Sequence, residues 1–110
     1  GYVARLNSDG TRDTTFTATI DGGVYAIIPS RTDSIIIAGD FRQVNWNPRY
    51  GLARLGANGA FDGSFNPQMP SAGPYPHFYA LAPQHDGSLI VGGTLPKISD
   101  WGRSYSCRKT

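Results

Sequence analysis

A single cysteine, Cys107, stands in a chain of 110 residues, which excludes an internal disulfide and leaves no paired Cys or His spacing of the kind a zinc site needs. Charged side chains are also sparse, at 16% of the total, and the net charge is only +2. The basic residues are scattered, with local density only at Arg103, Arg108 and Lys109, so no electrostatic footprint for nucleic acid is built. No apolar run approaches the ~18 residues of a membrane span. The longest lies around Ile35, Ile36 and Ile37, and no membrane insertion is expected.

Catalytic and cofactor motifs are missing as well. There is no G-x-S-x-G elbow, phosphate loop or HExxH. His77 and His85 are the two histidines; His77 closes a proline-rich loop and His85 lies in a tight turn, without the spacing of metal ligands. Asn7 to Asp13 carries closely spaced oxygens, but it lacks the terminal glutamate of a calcium loop. Its counterpart further along has Ala57 and Asn58 where it has Ser8 and Asp9. A hairpin turn permits that exchange and a charged cage does not. The sequence therefore predicts no cofactor and no enzymatic activity of its own.

What the chain has in quantity is turn residues, with 14 Gly and 8 Pro lying between short apolar runs, as expected where tight turns join short strands. Hydrophobic content is 39%, ordinary for a folded domain.

The runs repeat. Ala4 to Phe16 (ARLNSDGTRDTTF) matches Ala53 to Phe65 (ARLGANGAFDGSF) at an offset of 49, with six of thirteen positions identical. Val24 to Pro29 matches Phe78 to Pro83, and Ser34 to Gly39 matches Ser88 to Gly93, both at an offset of 54. The larger offset places five inserted residues between Asn66 and His77, where prolines already mark a loop. A third, degraded copy starts at the end, where Tyr105-Ser106-Cys107-Arg108 lies opposite Tyr2-Val3-Ala4-Arg5 and Lys109 replaces a leucine.

Each unit reads as short β-branched runs bounded by turns. The predicted strands are a at 24–29, b at 34–41, c at 51–56 and a short d at 61–65. Residues 2–7 and 12–17 are c and d of the preceding unit; 77–82, 88–95 and 104–109 are a, b and c of the next. Asp9-Gly10, Asn58-Gly59 and Asp86-Gly87 supply positive-φ hairpin turns, and Arg31-Thr32-Asp33 fills the equivalent place without glycine. Four antiparallel strands per unit of about 50 residues in tandem mean propeller blades. The expected fold is all-β: strands c and d of one blade in 1–23, a complete blade in 24–65, and a loop with a, b and part of c in 66–110. That is about two blades, a fragment of a larger ring completed by further blades of the same protein or by self-association.

Two further expectations concern packing. Arg5 with Asp13 and Arg54 with Asp62 recur at a separation of eight and are expected to pair across the c–d hairpins as structural ion pairs holding the outer edge of each blade, of modest worth if exposed. Tyr25 and Tyr79, at matching positions of strand a, are expected to face the interior between blades.

The pattern A-R-L-N-x-D-G-x-x-D-x-x-F, V-Y-A-I-x-P and I-x-I-x-G-D-F, carried by residues 3–16, 24–41, 52–65 and 78–93, resembles the delta-60 repeat of bacterial β-propellers. The resemblance implies tandem blades in large bacterial surface or secreted proteins, hence an extracellular or cell-surface location, and no shared catalytic residues. Thr94-Leu95 in place of Asp40-Phe41 departs from the pattern.

In an up-and-down blade the b–c loops and d–a connections emerge on one face. Here they hold Arg42, Trp46, Arg49, Tyr50, Tyr75 and Trp101, the residue types enriched in recognition surfaces. These six are the candidate binding residues, for a protein or carbohydrate ligand. The expected function is a non-enzymatic recognition, adhesion or scaffold module. A purely structural spacer or assembly unit, and part of an enzyme whose site lies on further blades, are the alternatives.

Overall fold

The computed structural model describes residues 1–31, 33–67 and 76–94. The described residues hold seven strands and one 3-10 turn, Ala57–Gly59. Strands β1 (Val24–Pro29), β2 (Ile35–Gly39) and β5 (Leu52–Leu55) form an antiparallel sheet in that order. Between β2 and β5 lies a small hairpin of β3 (Gln43–Val44) and β4 (Asn47–Pro48), and further on β6 (His77–Pro83) pairs with β7 (Leu89–Thr94). Strands a, b and c of the first unit and a and b of the second thus stand where the repeat places them. The third copy, 104–109, lies outside the described residues.

The expected strand d is reduced to single bridges, Leu55 to Phe61 in one unit and Leu6 to Arg12 in the other. The cause is local. Asp62 Oδ1 accepts from the Ser64 backbone N–H at 3.0 Å and the Ser64 hydroxyl at 2.6 Å, and Asp13 Oδ1 does the same with Thr15. Such side-chain bonds compete with a strand ladder for the same donors.

Packing follows the two-residue period of the strands. Ile37, Ala53 and Leu55 join Val3, Phe16 and Ile20 in one buried cluster, whereas Ile36, Ala38 and Leu52 join Phe65, Phe78 and Leu89 in another. One sheet is thus covered on both faces, by the preceding unit and by the following one. A fully buried aliphatic side chain stabilises by about 1.5–3 kcal/mol, so these two clusters are the main cohesive force between units.

The turns are built as their residues predict. Asp33 takes φ 61° where the next unit has Gly87 at 87°, and Asn58-Gly59 takes 63° and 86°. The left-handed region that glycine occupies without penalty is open at some cost to Asn and Asp.

The tyrosines do not face the interior. Tyr25 and Tyr79 are each 50% exposed, and their rings meet with centroids 5.2 Å apart. Both ladders shift register at these residues, between Val24 and Ala26 and between Phe78 and Ala80. A bulge adds a residue to one strand and re-aims its side chain, and here it turns the phenol away from the two clusters, the first packed by Val24 and the second by Ala26 and Phe78. The bulge also explains two glycines. A Cβ on Gly39 would strike the Gly23 carbonyl, and one on Gly93 the His77 carbonyl.

Candidate functional site

The segment 42–50, expected to be a b–c loop, is a hairpin fastened to the blade at base and tip. At its base Asp21 Oδ1 accepts from the backbone N–H of Arg42 at 2.8 Å and of Gln43 at 2.9 Å. Partial burial pushes the Asp21 pKa up, but these backbone donors outweigh it and hold the carboxyl below its usual value. Val44 is fully buried in the first cluster and bridges to Ile20. At the tip Asn45 donates its backbone N–H to the Thr19 carbonyl at 2.7 Å and accepts from the Thr19 N–H at 2.7 Å, while its Nδ2 donates to the Gly59 carbonyl at 3.0 Å.

This last bond corrects the expected separation of faces. The Asn45 tip reaches the Ala57–Gly59 turn, which an upright b–c loop would leave at the far end of the blade. Burial of Val44 against Ile20 and Phe16 pulls the hairpin down across the blade instead.

Trp46 follows Asn45 at the tip and is 74% exposed. Asn45 and Trp46 have φ of 48° and 67°, the pair of positive values of the tight hairpin turn in which Asn-Gly is favoured. A non-glycine residue there costs about 1–2 kcal/mol, and Trp46 recovers little of that through burial.

The other candidate residues have different placements. Arg49 is half-buried and turned onto the blade: its Nε donates to the Phe65 carbonyl at 3.4 Å, Nη1 to the Pro48 carbonyl at 2.8 Å and Nη2 to the Gly63 carbonyl at 3.4 Å, with the guanidinium 4.7 Å from the Phe61 ring centroid. It ties the hairpin to the 61–65 segment and offers little to a ligand. Arg42 is exposed at the hairpin base, two rungs of the β3–β4 ladder from the tip, and Tyr50 is half-buried. Tyr75 and Trp101 lie outside the described residues.

A second polar cluster went unnoticed in the sequence. The Tyr25 hydroxyl donates to Asp40 Oδ2 at 3.0 Å, and Asp40 Oδ1 accepts from the Gly23 N–H. The bond to Tyr25 lowers the Asp40 pKa, helped by the backbone bond and by His77, and the same bond raises that of Tyr25. Its signal was the Tyr25–Asp40 pair itself, whose counterparts are Tyr79 and Thr94.

Both expected ion pairs form, Arg5 to Asp13 at 2.9 Å and Arg54 to Asp62 at 2.8 Å. Only the first is exposed. The Arg54 side chain is 1% accessible against 43% for Arg5, lies 5.2 Å from the Phe65 ring centroid, and donates from Nη2 to the Ser64 hydroxyl at 3.0 Å. Its Nη1 is buried without a hydrogen-bond partner. Among the described residues no His, Cys, Asp or Glu cluster could hold a metal ion, and no helix is long and apolar enough to cross a membrane.

Residues 1–16 and 32–65 match a family model described as a β-propeller domain of unknown function, DUF5122. No curated protein and no solved structure matches the chain. The matched segments carry both copies of the A-R-L…F element together with β2 and β5. With the repeat, the antiparallel sheets and the two-faced packing of the central unit, they make this chain a run of β-propeller repeats.

Proposed function

We propose that the chain is a non-enzymatic recognition module of the delta-60 type, from a bacterial surface or secreted protein, that engages a protein or carbohydrate ligand through the 43–48 hairpin tip. The observation that carries this reading is Trp46. A large aromatic side chain occupies a left-handed turn position that glycine would fill without strain, and it stays 74% exposed. Backbone strain without compensating burial is a pointer to function. Asn45 ties the tip backbone to Thr19 and Gly59, so the position of the aromatic side chain is set before binding and little backbone ordering cost remains. Arg42 and Tyr50 flank the base of the same hairpin.

The test pairs binding with stability. The 110-residue chain is screened against glycan and protein arrays, and Trp46→Gly is compared with His85→Ala in the remote β6–β7 turn. Loss of a central aromatic anchor costs 2 kcal/mol or more, about thirtyfold in affinity. Relief of the turn strain leaves Trp46→Gly at least as stable as the parent, by up to about 1 kcal/mol. A Trp46→Gly chain that binds normally, or one that unfolds, overturns the reading.

A further inference from the structure

Two bulges give the edges of neighbouring units the same fitting. β1 is an edge strand of its sheet and runs beside β6 of the following unit. Each ladder shifts register at a tyrosine, and beside each shift stands a glycine, Gly39 or Gly93, where a Cβ would strike a backbone carbonyl. A bulge interrupts a ladder, and a glycine within a strand weakens it. Both units carry both features nonetheless. Their shared result is an outward ring: Tyr25 meets Tyr79 with centroids 5.2 Å apart and planes at 41°. The contact is made between two consecutive units, so it is set within this pair whatever units flank it.

We propose that Tyr25 and Tyr79 are an oxidative modification site, at which a peroxidase-type one-electron oxidant joins the two phenols through a carbon–carbon bond and staples the neighbouring units together.

In the reaction each phenol gives up one electron and its hydroxyl proton. Loss of the electron makes a phenol a far stronger acid than a carboxylic acid, and for Tyr25 the receiver of the proton is in place: its hydroxyl donates to Asp40 Oδ2 at 3.0 Å. Asp40 is held by the Gly23 N–H on Oδ1, and with its pKa lowered chiefly by the Tyr25 bond it is ionised at neutral pH. Tyr79 is 50% exposed and releases its proton to water. The two phenoxyl radicals then combine at ring carbons ortho to the oxygens. A Cε–Cε bond forms, and the protons lost from those two carbons return to the oxygens and restore both hydroxyls. Two electrons and two protons leave in all, and one hydrogen peroxide takes them up as two waters.

Proximity favours this pair. Exposed side chains move in picoseconds to nanoseconds, so the swing that brings one Cε to the other is faster than a search for another molecule, and coupling runs at a high effective concentration. Tyr2, at 64% exposure and with the Arg12 guanidinium 5.5 Å from its ring centroid, is the competitor for coupling between molecules. β1 and β6 belong to separate sheets, so the new bond ties together strands that share no ladder. It joins residues 54 apart in the sequence, and a cross-link over such a loop restricts the unfolded chain.

The full chain, with Cys107 alkylated so that its thiol cannot quench the radicals, is treated at low concentration with a haem peroxidase and limiting hydrogen peroxide. The monomer should become two hydrogens lighter and gain the blue fluorescence of a biphenol. Trypsin should then release peptides 13–31 and 55–97 joined at Tyr25 and Tyr79, and the linked monomer should unfold at a higher urea concentration than the untreated chain. Tyr25→Phe and Tyr79→Phe keep the rings and remove the oxidisable hydroxyl; each should lower the yield of biphenol monomer about tenfold or more, whereas Tyr75→Phe should not. Asp40→Asn, which lacks the proton acceptor, should slow the coupling about tenfold or more. Biphenol confined to covalent dimers, a link mapped to Tyr2 or Tyr75, a full yield from either Tyr25→Phe or Tyr79→Phe, or an Asp40→Asn chain that couples at the parent rate overturns the proposal. The link is mapped on the parent chain, so the result stands even if a variant fails to fold.

Discussion

The two ion pairs of the repeat form a built-in experiment on burial. Asp13 and Asp62 occupy equivalent positions and make the same bonds: one oxygen to an arginine Nε at 2.9 or 2.8 Å, the other to a backbone N–H and a hydroxyl two residues on. Replacing either by alanine removes an Asx-type turn, with hydrogen bonds of about 1 kcal/mol each, and this cost is common to both. The remainder differs. At Asp13→Ala the Arg5 guanidinium, on a side chain 43% accessible, regains water, and loss of an exposed pair costs about 0–1 kcal/mol. At Asp62→Ala the Arg54 guanidinium, on a side chain 1% accessible, keeps its charge without a counterion, for about 3–5 kcal/mol.

Asp62→Ala should therefore be less stable than Asp13→Ala by about 2–5 kcal/mol. That is a large share of the about 5–15 kcal/mol of a domain. Urea unfolding followed by far-ultraviolet circular dichroism, at one fixed protein concentration, measures both variants against the parent. Equal midpoints for the two variants would refute the claim that burial separates these pairs. A double variant that also removes the charge, Arg54→Met with Asp62→Ala, should recover part of the loss, since a buried pair replaced by apolar groups is often neutral.

Other outcomes follow from the same geometry. The Asp62 carboxyl is held at about 2, chiefly by the Ser64 hydroxyl and with Arg54 contributing; its folded pKa lies below the unfolded one. Its stabilisation is therefore complete above about pH 4 and is lost as pH falls towards 2; an acid titration of the Asp62→Asn chain should lack that part of the pH dependence. Asp40→Asn removes the carboxylate that accepts the Tyr25 hydroxyl, so the raised Tyr25 pKa should fall towards the ordinary value in an ultraviolet titration, with Tyr25→Phe identifying the signal. Gly39→Ala and Gly93→Ala each drive a methyl into a backbone carbonyl beside a bulge and should each cost about 1–3 kcal/mol or more in thermal unfolding. A harmless Gly93→Ala would show that the second bulge is misread.

The sequence by itself determined the repeat, and with it most of the β architecture. Offsets of 49 and 54 place β1, β2, β5, β6 and β7, because strand periodicity and turn residues are local properties that survive in each copy. Asp9-Gly10, Asn58-Gly59 and Asp86-Gly87 mark the turns for the same reason, and the separation of eight between arginine and aspartate is enough to expect both ion pairs. Only the tertiary structure decided what repeats cannot express, namely how equivalent residues differ. Arg5 and Arg54 sit in the same A-R-L element, but Arg54 is enclosed by the packing around it and Arg5 is not. Tyr25 and Tyr79 sit in apolar runs that read as interior, yet a one-residue bulge, invisible in a pattern of period two, turns both rings outward. The segment 42–50 carries the polar and proline residues of a loop, and only the burial of Val44 against Ile20 from the preceding connection folds it into a hairpin with Trp46 at its tip. Periodicity is written within a strand; burial is set by what packs on it from elsewhere in the chain.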